Sequence, residues 1–441
     1  MSGRARTLQI ACAAALLFAG PARAEGEPET LPVTGRIFSD VYVPTRDLGI
    51  SPLRQASASL WLQGAPKLGE HGSANFILQA DTLQAGQSLG GASSRTDVTV
   101  REGFAAYASG GWEFKAGRMI LPWGKADAIN PTDVLSAKDY TFLNPDEEVR
   151  RIGALSILTA WTPGAGSSPL TLTMIWTPVA PQSRMLFDSA KVTSSLPPGL
   201  TLSSNPVTPA ATLARSELAL KAAIAPSGWD ASVFAFRGLS HMPELALFGS
   251  TIAPTYHRLT AAGGDFSFTA GSWIFRGEGD YAWTENGDGS NPLIAPTRVD
   301  LVAGVERPIG DDFRIQVQGL LRHAPRFTAP EDATGLDPAS TALNSEIASA
   351  NARILNYPER TRPGATVRFS YSNEASGLDA EVFLLGNFVG GDYLLRPKLS
   401  YGWTDAFETT IGVDHYAGPE DLPLGQLKAF NSLFIEAKYV F

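Results

Sequence analysis

The sequence predicts an all-β protein whose strands close into a transmembrane, antiparallel, up-and-down β-barrel. Three observations carry this prediction. Apolar and charged residues alternate with a period of two along many segments, short and long connections follow one another in turn, and no apolar run after residue 24 is long enough for a spanning helix. Counting strands between the connections gives about 18, with 16 as the alternative.

The first 24 residues have the three parts of a secretory signal peptide. Arg4 and Arg6 precede an apolar run at 8–18, and Ala22-Arg23-Ala24 resembles a cleavage site. The run is too short for a membrane anchor, so we expect a signal peptide at 1–24 and a single barrel domain at 25–441. The one cysteine, Cys12, lies in this leader, which excludes disulfides and Cys-ligated zinc from the rest of the chain.

Composition excludes one class of partner. The formal net charge is −9, and all three basic residues of the leader are lost on cleavage while no acid is lost. Phosphate neutralisation requires a basic surface, so we expect no nucleic-acid partner. A hydrophobic share of 44% with nine tryptophans fits a barrel with aromatic girdles.

The last nine residues, LFIEAKYVF, form the clearest strand. Leu433, Ile435, Ala437, Tyr439 and Phe441 share one face, opposite Glu436 and Lys438. This ending resembles the assembly signal of bacterial outer-membrane barrels, with Tyr439 and Phe441 as its residues. The resemblance implies the outer membrane of a Gram-negative-type bacterium, with its lipid and the barrel-assembly machinery as partners.

The same alternation recurs at 273–283, 298–306, 313–318, 365–371 and 378–384, with aromatic residues at both ends of the apolar face of the first. A soluble all-β sandwich or propeller would show the same period but would not explain the terminal Phe or the aromatic bands. The segments near 152–178 and 254–270 alternate poorly, which keeps 16 strands open.

Connections near 110, 227, 271, 310 and 376 are short, whereas those near 84–95, 120–150, 179–211, 240–256, 285–297, 324–362 and 417–428 are long. Barrels of this class have short periplasmic turns and longer outer loops, so both termini are expected on the periplasmic side. Within the longest outer loop, Asp337-Pro338 predicts a helix start and the apolar spacing a helix to about Leu355.

The loop at 120–150 carries the densest set of polar motifs. Asn130-Pro131 and Asn144-Pro145 each predict a short helix with Asn as N-cap. We expect this loop to fold inward and constrict the lumen, the alternative being a solvated surface loop. Its candidate residues are Trp123, Lys125, Asp127, Asn130, Asp133, Asp139, Asp146, Glu147, Glu148, Arg150 and Arg151.

A second resemblance rests on the stretch WGKADAINPTD. With a later Asp-Tyr and an acidic segment before Arg-Arg, it resembles a poorly characterised family of outer-membrane barrels. The matching residues are Trp123, Gly124, Asp127, Asn130, Pro131, Asp133 and Asp139. What the resemblance implies is transport of hydrophobic or lipid-like compounds. Apolar outer segments at 185–187 and 241–249 could capture such compounds or pack as a lid.

Charges of both signs are predicted on the inward face. The candidate lumen residues are Arg276, Glu278, Asp280, Arg298, Asp300, Glu306, Arg314, Arg322, Arg368, Arg396 and Lys398. Mixed signs on neighbouring strands indicate either a salt-bridged wall or a substrate path. Phe234 and Phe236 also face inward, so part of the lumen is expected to be apolar.

Nothing in the sequence indicates an enzyme. The five histidines have no metal-ligand spacing, and neither a Gly-x-Ser-x-Gly elbow nor a cofactor motif occurs. The function predicted is a channel or transporter for small hydrophobic or lipid-like molecules, without cofactor or metal. A general diffusion porin for polar solutes and a structural or export-assembly component are the alternatives.

Overall fold

The computed structural model describes residues 33–45, 54–85, 93–127, 129–185, 199–203, 205–208 and 210–441. Eighteen strands form one closed antiparallel sheet, which confirms the predicted barrel and its strand count. The predicted signal peptide at 1–24 lies outside the described residues.

The wall strands follow one another around the barrel in chain order, each paired with the next. They are β1 (Thr34–Pro44), β2 (Gln55–Gly64), β4 (Gly72–Ala85), β5 (Ser93–Ser109), β6 (Trp112–Met119), β9 (Ala154–Trp161), β10 (Leu170–Thr177), β12 (Glu217–Ile224), β13 (Trp229–Leu239), β16 (Arg258–Ala270), β17 (Trp273–Thr284), β18 (Arg298–Ile309), β19 (Phe313–His323), β20 (Thr361–Asn373), β21 (Leu378–Asn387), β22 (Tyr393–Thr404), β23 (Phe407–Ala417) and β24 (Ser432–Val440). The remaining strands are β3 (Lys67–Leu68), β7 (Ala137–Lys138), β8 (Arg151–Ile152), β11 (Thr201–Leu202), β14 (Glu244–Phe248) and β15 (Thr251–Thr255).

The first and last strands close the barrel. β1 pairs with β24 antiparallel from Arg36–Val440 to Pro44–Ser432. Beyond the last strand residue, Phe441 N donates to Gly35 O at 2.9 Å and Gly35 N donates to Phe441 O at 2.8 Å. The terminal Phe therefore extends the closing seam.

The two faces of the wall differ as the period of two requires. On β24, Ile435 is 52% exposed on the outer face, whereas its neighbour Phe434 is 1% exposed inside and stacks on Tyr42. Side chains outside meet lipid and those inside meet the lumen or the segments that fill it. No helix among the described residues is both long enough and apolar enough to cross a membrane.

The outer mouth carries a small lid. Helix α2 (Pro338–Ile354) begins as predicted at N-cap Asp337 with a full capping box. Its Ile347 shares a buried cluster with Leu245 of β14 and Ile252 of β15, and these two strands pair. The apolar segment at 241–249 is thus partly lid core, although Leu247 and Phe248 remain exposed. Of the other apolar segment, 185–187, only Met185 is among the described residues.

Four 3-10 turns complete the described structure, at Gly164–Gly166, Leu213–Arg215, Pro330–Asp332 and Gly425–Phe430. A single short helix, α1 (Glu147–Arg150), lies in the loop between β6 and β9. The outer connections vary in length, and the one at 388–392 is short.

Candidate functional site

Residues 120–153, called here the inner segment, join β6 to β9, which are neighbours in the wall. The segment does not take the short route between them. Lys125 N donates to Glu278 on β17 at 2.8 Å, and Asn144 Nδ2 donates to Glu436 on β24 at 2.6 Å. Since both acceptors face inward on strands far apart around the wall, the segment runs through the barrel interior.

The Trp-Gly and Asn-Pro motifs build one closed turn. Asn130 Nδ2 donates to Trp123 O at 2.7 Å, Trp123 N donates to Asp133 Oδ1 at 3.2 Å, and Asp133 N donates to Asn130 Oδ1 at 3.1 Å. Gly124 has φ +93°, and a Cβ there would collide with the Asn130 amide. These motif residues therefore shape the segment, and they leave no side chain free for a solute.

The predicted helix at Asn130-Pro131 is absent, and this expectation was wrong. The Asn130 side chain does accept from the backbone three residues on, as an N-cap does, but the chain then turns into β7. At the second Asn-Pro pair, the N-cap of α1 is Asp146 instead of Asn144. The Asn144 side chain is taken instead by Asp40 and Glu436.

Trp123 packs into the apolar part of the inner wall. Its ring packs edge-to-face against the ring of Phe234, with 5.6 Å between the two ring centroids. The Lys221 ammonium lies 5.3 Å from the centroid of the Trp123 ring. The shared cluster is drawn from the inner segment and from β6, β9, β10, β12, β13, β16 and β17: Met119, Trp123, Leu135, Leu158, Ala160, Ile175, Ala219, Phe234, Phe236, Leu259, Ala261 and Ala282. The inner face of β9, β10, β12, β13 and β16 is called the packed side below.

One wall carboxylate holds the tip of the inner segment. Glu278 Oε2 accepts from Lys125 N at 2.8 Å, from Ala126 N at 3.2 Å and from Thr132 Oγ1 at 3.1 Å. Thr132 is fully buried and Glu278 is 5% exposed. Three donors on one buried oxygen fix the position of the tip relative to the wall.

Two charged side chains of the tip reach different strands of the wall. Lys125 reaches Asp230 on β13 and lies 3.6 Å from Asp265 on β16. Asp127 pairs with Arg368 on β20 at 2.8 Å. The tip is therefore attached to the sector of the wall from β13 to β20.

Burial acts on the charges of the tip. It raises the pKa of the Asp127 carboxyl against the opposing charge of Arg368, and it lowers the pKa of the Lys125 ammonium despite nearby Asp265. Burial also raises the pKa of Asp133, which accepts from Ser136 Oγ at 2.7 Å.

The base of the inner segment is tied to β1, β2 and β5. Glu148 pairs with Arg36 at 2.9 Å, and Gln55 Nε2 donates to Thr141 O at 2.7 Å. Arg101 donates to Arg151 O at 3.0 Å and to Glu148 O. The other predicted charges of this region also pair locally: Asp139 with Arg95 and Arg184, Glu147 with Lys138 and Arg151, and Arg150 over the ring of Tyr140.

The predicted lumen charges fall into two groups on β17 to β22, called here the charged side. Toward the outer mouth, Arg298 and Arg322 hold Asp300 at 3.0 and 2.5 Å, Asp280 faces Asp300 across the strands, and Arg396 pairs with Asp414. Nearer the short turns lie the pairs Arg276–Glu306, Arg314–Glu306, Arg368–Glu381 and Lys398–Glu381.

The second group presents cations to the open lumen. The Arg314 side chain is 62% exposed and that of Lys398 is 34% exposed, while their partners Glu306 and Glu381 are 9% and 16% exposed. Salt bridges are present, but the carboxylates are covered and the cationic ends are not. The salt-bridged wall is present, and the substrate path remains a prediction.

Several residues of the site were not predicted: Asp230, Asp265, Lys221, Gln55, Arg36 and Arg101. Asn144 was predicted as an N-cap and instead donates to Glu436. Lys221 is the one charged residue of the strand ELALKAAI after Glu217. Its spacing from Glu217 and Ala219 places it on the inward face, so it could have been predicted. Asp265 lies in a segment without clear alternation. Among the described residues, no three His, Cys, Asp or Glu side chains form a group that could hold a metal ion.

Comparison with known proteins identifies the fold. No family model and no curated protein matches this chain. Among solved structures, OccAB1 of Acinetobacter baumannii matches with a TM-score of 0.54 and 9% identity over 95% of this chain and 98% of its own. OpdK of Pseudomonas aeruginosa, solved with vanillate, gives 0.53 and 10% over 93% and 98%. OccK11 of the same organism gives 0.51 and 9% over 95% and 99%.

Identities this low show the fold alone. OpdK is an outer membrane protein, so the chain has the barrel fold found in that membrane, and the resemblance drawn from its last strand is confirmed. The narrower resemblance through WGKADAINPTD remains a prediction.

Proposed function

We propose that this protein is an outer-membrane channel for small solutes, constricted by the inner segment. The observation that supports it best is the attachment of the tip to the wall, from Asp265 on β16 through Lys125 and Asp127 to Arg368 on β20. Barrel diameter grows with strand number, and barrels of 16 to 18 strands leave an aqueous lumen unless something fills it. With the tip fixed in this way, solutes would pass along the charged side.

The exposed cations suggest the class of solute. Arg314 and Lys398 reach into the lumen while Glu306 and Glu381 are covered, so the local potential favours small anionic solutes. OpdK, which shares the fold, was solved with vanillate, a carboxylate. A general porin without charge preference is the simpler form of the same proposal.

Transport of hydrophobic molecules is the second candidate. The observation in its favour is the exposure of Leu247 and Phe248 on β14 at the outer mouth, 41% and 42%. Against it, the apolar packed side is occupied by Trp123 and its neighbours, so no continuous apolar path follows from the described residues.

Single-channel recording in planar bilayers tests the proposal. The refolded protein, residues 25–441, is compared with a variant lacking residues 124–132, whose flanking Trp123 and Asp133 already lie within hydrogen-bond distance. The variant should show conductance several-fold above the parent, because the tip no longer occupies part of the lumen. A reversal potential in a salt gradient should show anion preference in the parent.

The matched control is Arg307→Ala, which removes a cation that lies over Trp273 on the outer face. It should leave conductance and selectivity unchanged. Equal conductance of parent and deletion variant would contradict constriction by the tip, and silence of both would contradict a channel. Uptake of hydrophobic compounds with no ion conduction would favour the second candidate.

A further inference from the structure

An arginine stands in the outer aromatic girdle of the lipid-facing wall. Trp176, Leu218, Arg237, Thr260 and Trp283 are consecutive partners in register across five strands, β10 to β17. All five occupy the outward-facing positions of their strands. Tryptophans in such positions mark the interface between hydrocarbon and headgroups, so the Arg237 guanidinium lies at headgroup depth on the side of the long outer loops.

Two further arginines lie just above it. Arg258 opposes Leu239, one outward-facing position beyond Arg237 toward the outer rim, and Arg215 ends the 3-10 turn before β12. Both line a pocket of about 270 Å³ with Thr208, Thr255 and Tyr256. All three arginines are exposed. Together, Arg215, Arg237 and Arg258 are called the rim arginines.

Among the described residues, the three rim arginines have one carboxylate near them, Glu285, which lies close enough to Arg258 for their charges to interact. Within the described part of the chain, none of the three side chains makes an ion pair or hydrogen bond, in contrast to the luminal arginines. One acid, Glu285, also lines the pocket, but it already accepts from His257 Nδ1 at 3.0 Å and from Arg258 N at 3.1 Å. With three arginines and one acid, the rim carries an excess of positive charge next to the membrane surface.

At the level of Arg237 and below it, the outer wall is apolar and exposed. Leu218, Leu220 and Val233 are 42%, 48% and 64% exposed on the same face. A cationic rim above an exposed aliphatic strip is complementary to an amphiphile with an anionic head and hydrocarbon chains. Guanidinium forks bind phosphate in bidentate geometry, and the guanidinium groups of these arginines make no salt bridge among the described residues that would occupy their donors.

We propose that the rim arginines bind the headgroup phosphate of a phosphorylated lipid in the outer leaflet, with its acyl chains along β12 and β13. The site uses only the outer face of the wall. It depends on the barrel sitting in the outer membrane, but not on what passes through the lumen, so a silent channel would leave it standing.

Native mass spectrometry of the refolded protein in detergent tests this site. The probes are diphosphorylated lipid A, its dephosphorylated counterpart and inorganic phosphate. The parent should retain one diphosphorylated lipid A molecule, and Arg237→Ala or Arg258→Ala should weaken retention roughly tenfold or more, the effect expected for loss of a charge-assisted hydrogen bond. Arg237→Lys should fall between, because lysine keeps the charge but loses the fork.

The charge-matched control is Arg326→Ala, an exposed arginine of another outer loop, which should bind as the parent does. Folding of each variant is verified by the shift in gel mobility on heating. Retention equal to the parent in both Arg237→Ala and Arg258→Ala would overturn the proposal. So would equal retention of dephosphorylated lipid A, or displacement of the lipid by inorganic phosphate, which would identify a site for a free anion.

Discussion

Two sectors of the barrel interior, the packed side and the charged side, are built differently. On the packed side, inward residues such as Phe234 and Phe236 are 6% and 2% exposed and enclose Trp123, as in the core of a soluble protein. On the charged side, Arg314 and Lys398 extend into open lumen. The interior of this barrel therefore contains both a packed hydrophobic core and an open lumen. The inner segment lies at the boundary between them.

The largest effect is expected from breaking the packed side. Trp123→Ala should lower the free energy of unfolding by about 3 kcal/mol or more, because it empties a buried aromatic site. Urea titration in lipid vesicles measures this. Trp403→Ala, on a tryptophan that is 62% exposed, is the control and should lose less than half as much. Equal losses would mean that the inner cluster is not a core.

Detaching the tip comes next. Glu278→Ala removes the acceptor of three donors, each of which costs about 1–3 kcal/mol when left buried and unpaired. The tip should leave the wall, and single-channel conductance should rise at least twofold. Glu278→Gln keeps one acceptor oxygen and should lie nearer the parent. Unchanged conductance in Glu278→Ala would show that other contacts hold the tip.

A smaller effect is expected on the charged side. Arg314→Ala and Lys398→Ala each remove an exposed cation without disturbing packing, so stability should change little while anion preference falls by roughly a factor of two. Reversal potentials in a salt gradient report this change. If selectivity stays constant in the double variant, these cations do not line the solute path.

The smallest effect concerns pH. His241 lies near the packed side with Nε2 2.7 Å from Glu217, and although its burial favours the neutral ring, Glu217 outweighs this and raises the pKa of His241. The stability from this pair is fully present below the ordinary histidine pKa of about 6.5 and is lost as pH rises through the raised value. Urea midpoints against pH should show that decline in the parent and not in His241→Gln. If the urea midpoints of the parent and of His241→Gln fell in parallel, the pH dependence would come from groups other than His241.

The same contrast explains what could be predicted from sequence. Strands of the charged side alternate charge and apolar residue, so β17 to β21 and β24 were evident from period two alone. Strands β9, β10 and β16 were not evident. Apolar residues such as Leu158, Ile175 and Leu259 also lie on their inner faces, so the contrast between the two faces is weak. These residues share a cluster with Trp123, which comes from another part of the chain and cannot be seen in a local pattern.

The inner segment shows the limit in another way. Its residues were found from their density of motifs, but no helix follows Asn130, since its side chain caps a turn that closes on Trp123 O and the chain then enters β7. The wall charges that contact the tip are determined by how the strands pair around the whole barrel, which a local stretch of sequence does not show. Glu278 and Arg368 were predicted as lumen residues, and their partners Lys125 and Asp127 as loop residues, but nothing local to either set pairs them.

The lengths of the strands have a consequence for the surrounding bilayer. β6, β9, β10 and β12 comprise eight residues each, whereas β17, β18 and β22 comprise 12. At about 3.4 Å per residue and a tilt of about 40°, an eight-residue strand spans roughly 21 Å, less than the usual apolar band of about 25 Å. Lipid chains beside these strands must shorten, so the membrane is dimpled along one flank of the barrel. Deforming the bilayer costs less free energy where the lipids have short acyl chains. It also costs less when the short-strand flanks of two barrels lie side by side. We therefore expect neighbouring copies to associate in the membrane through this flank.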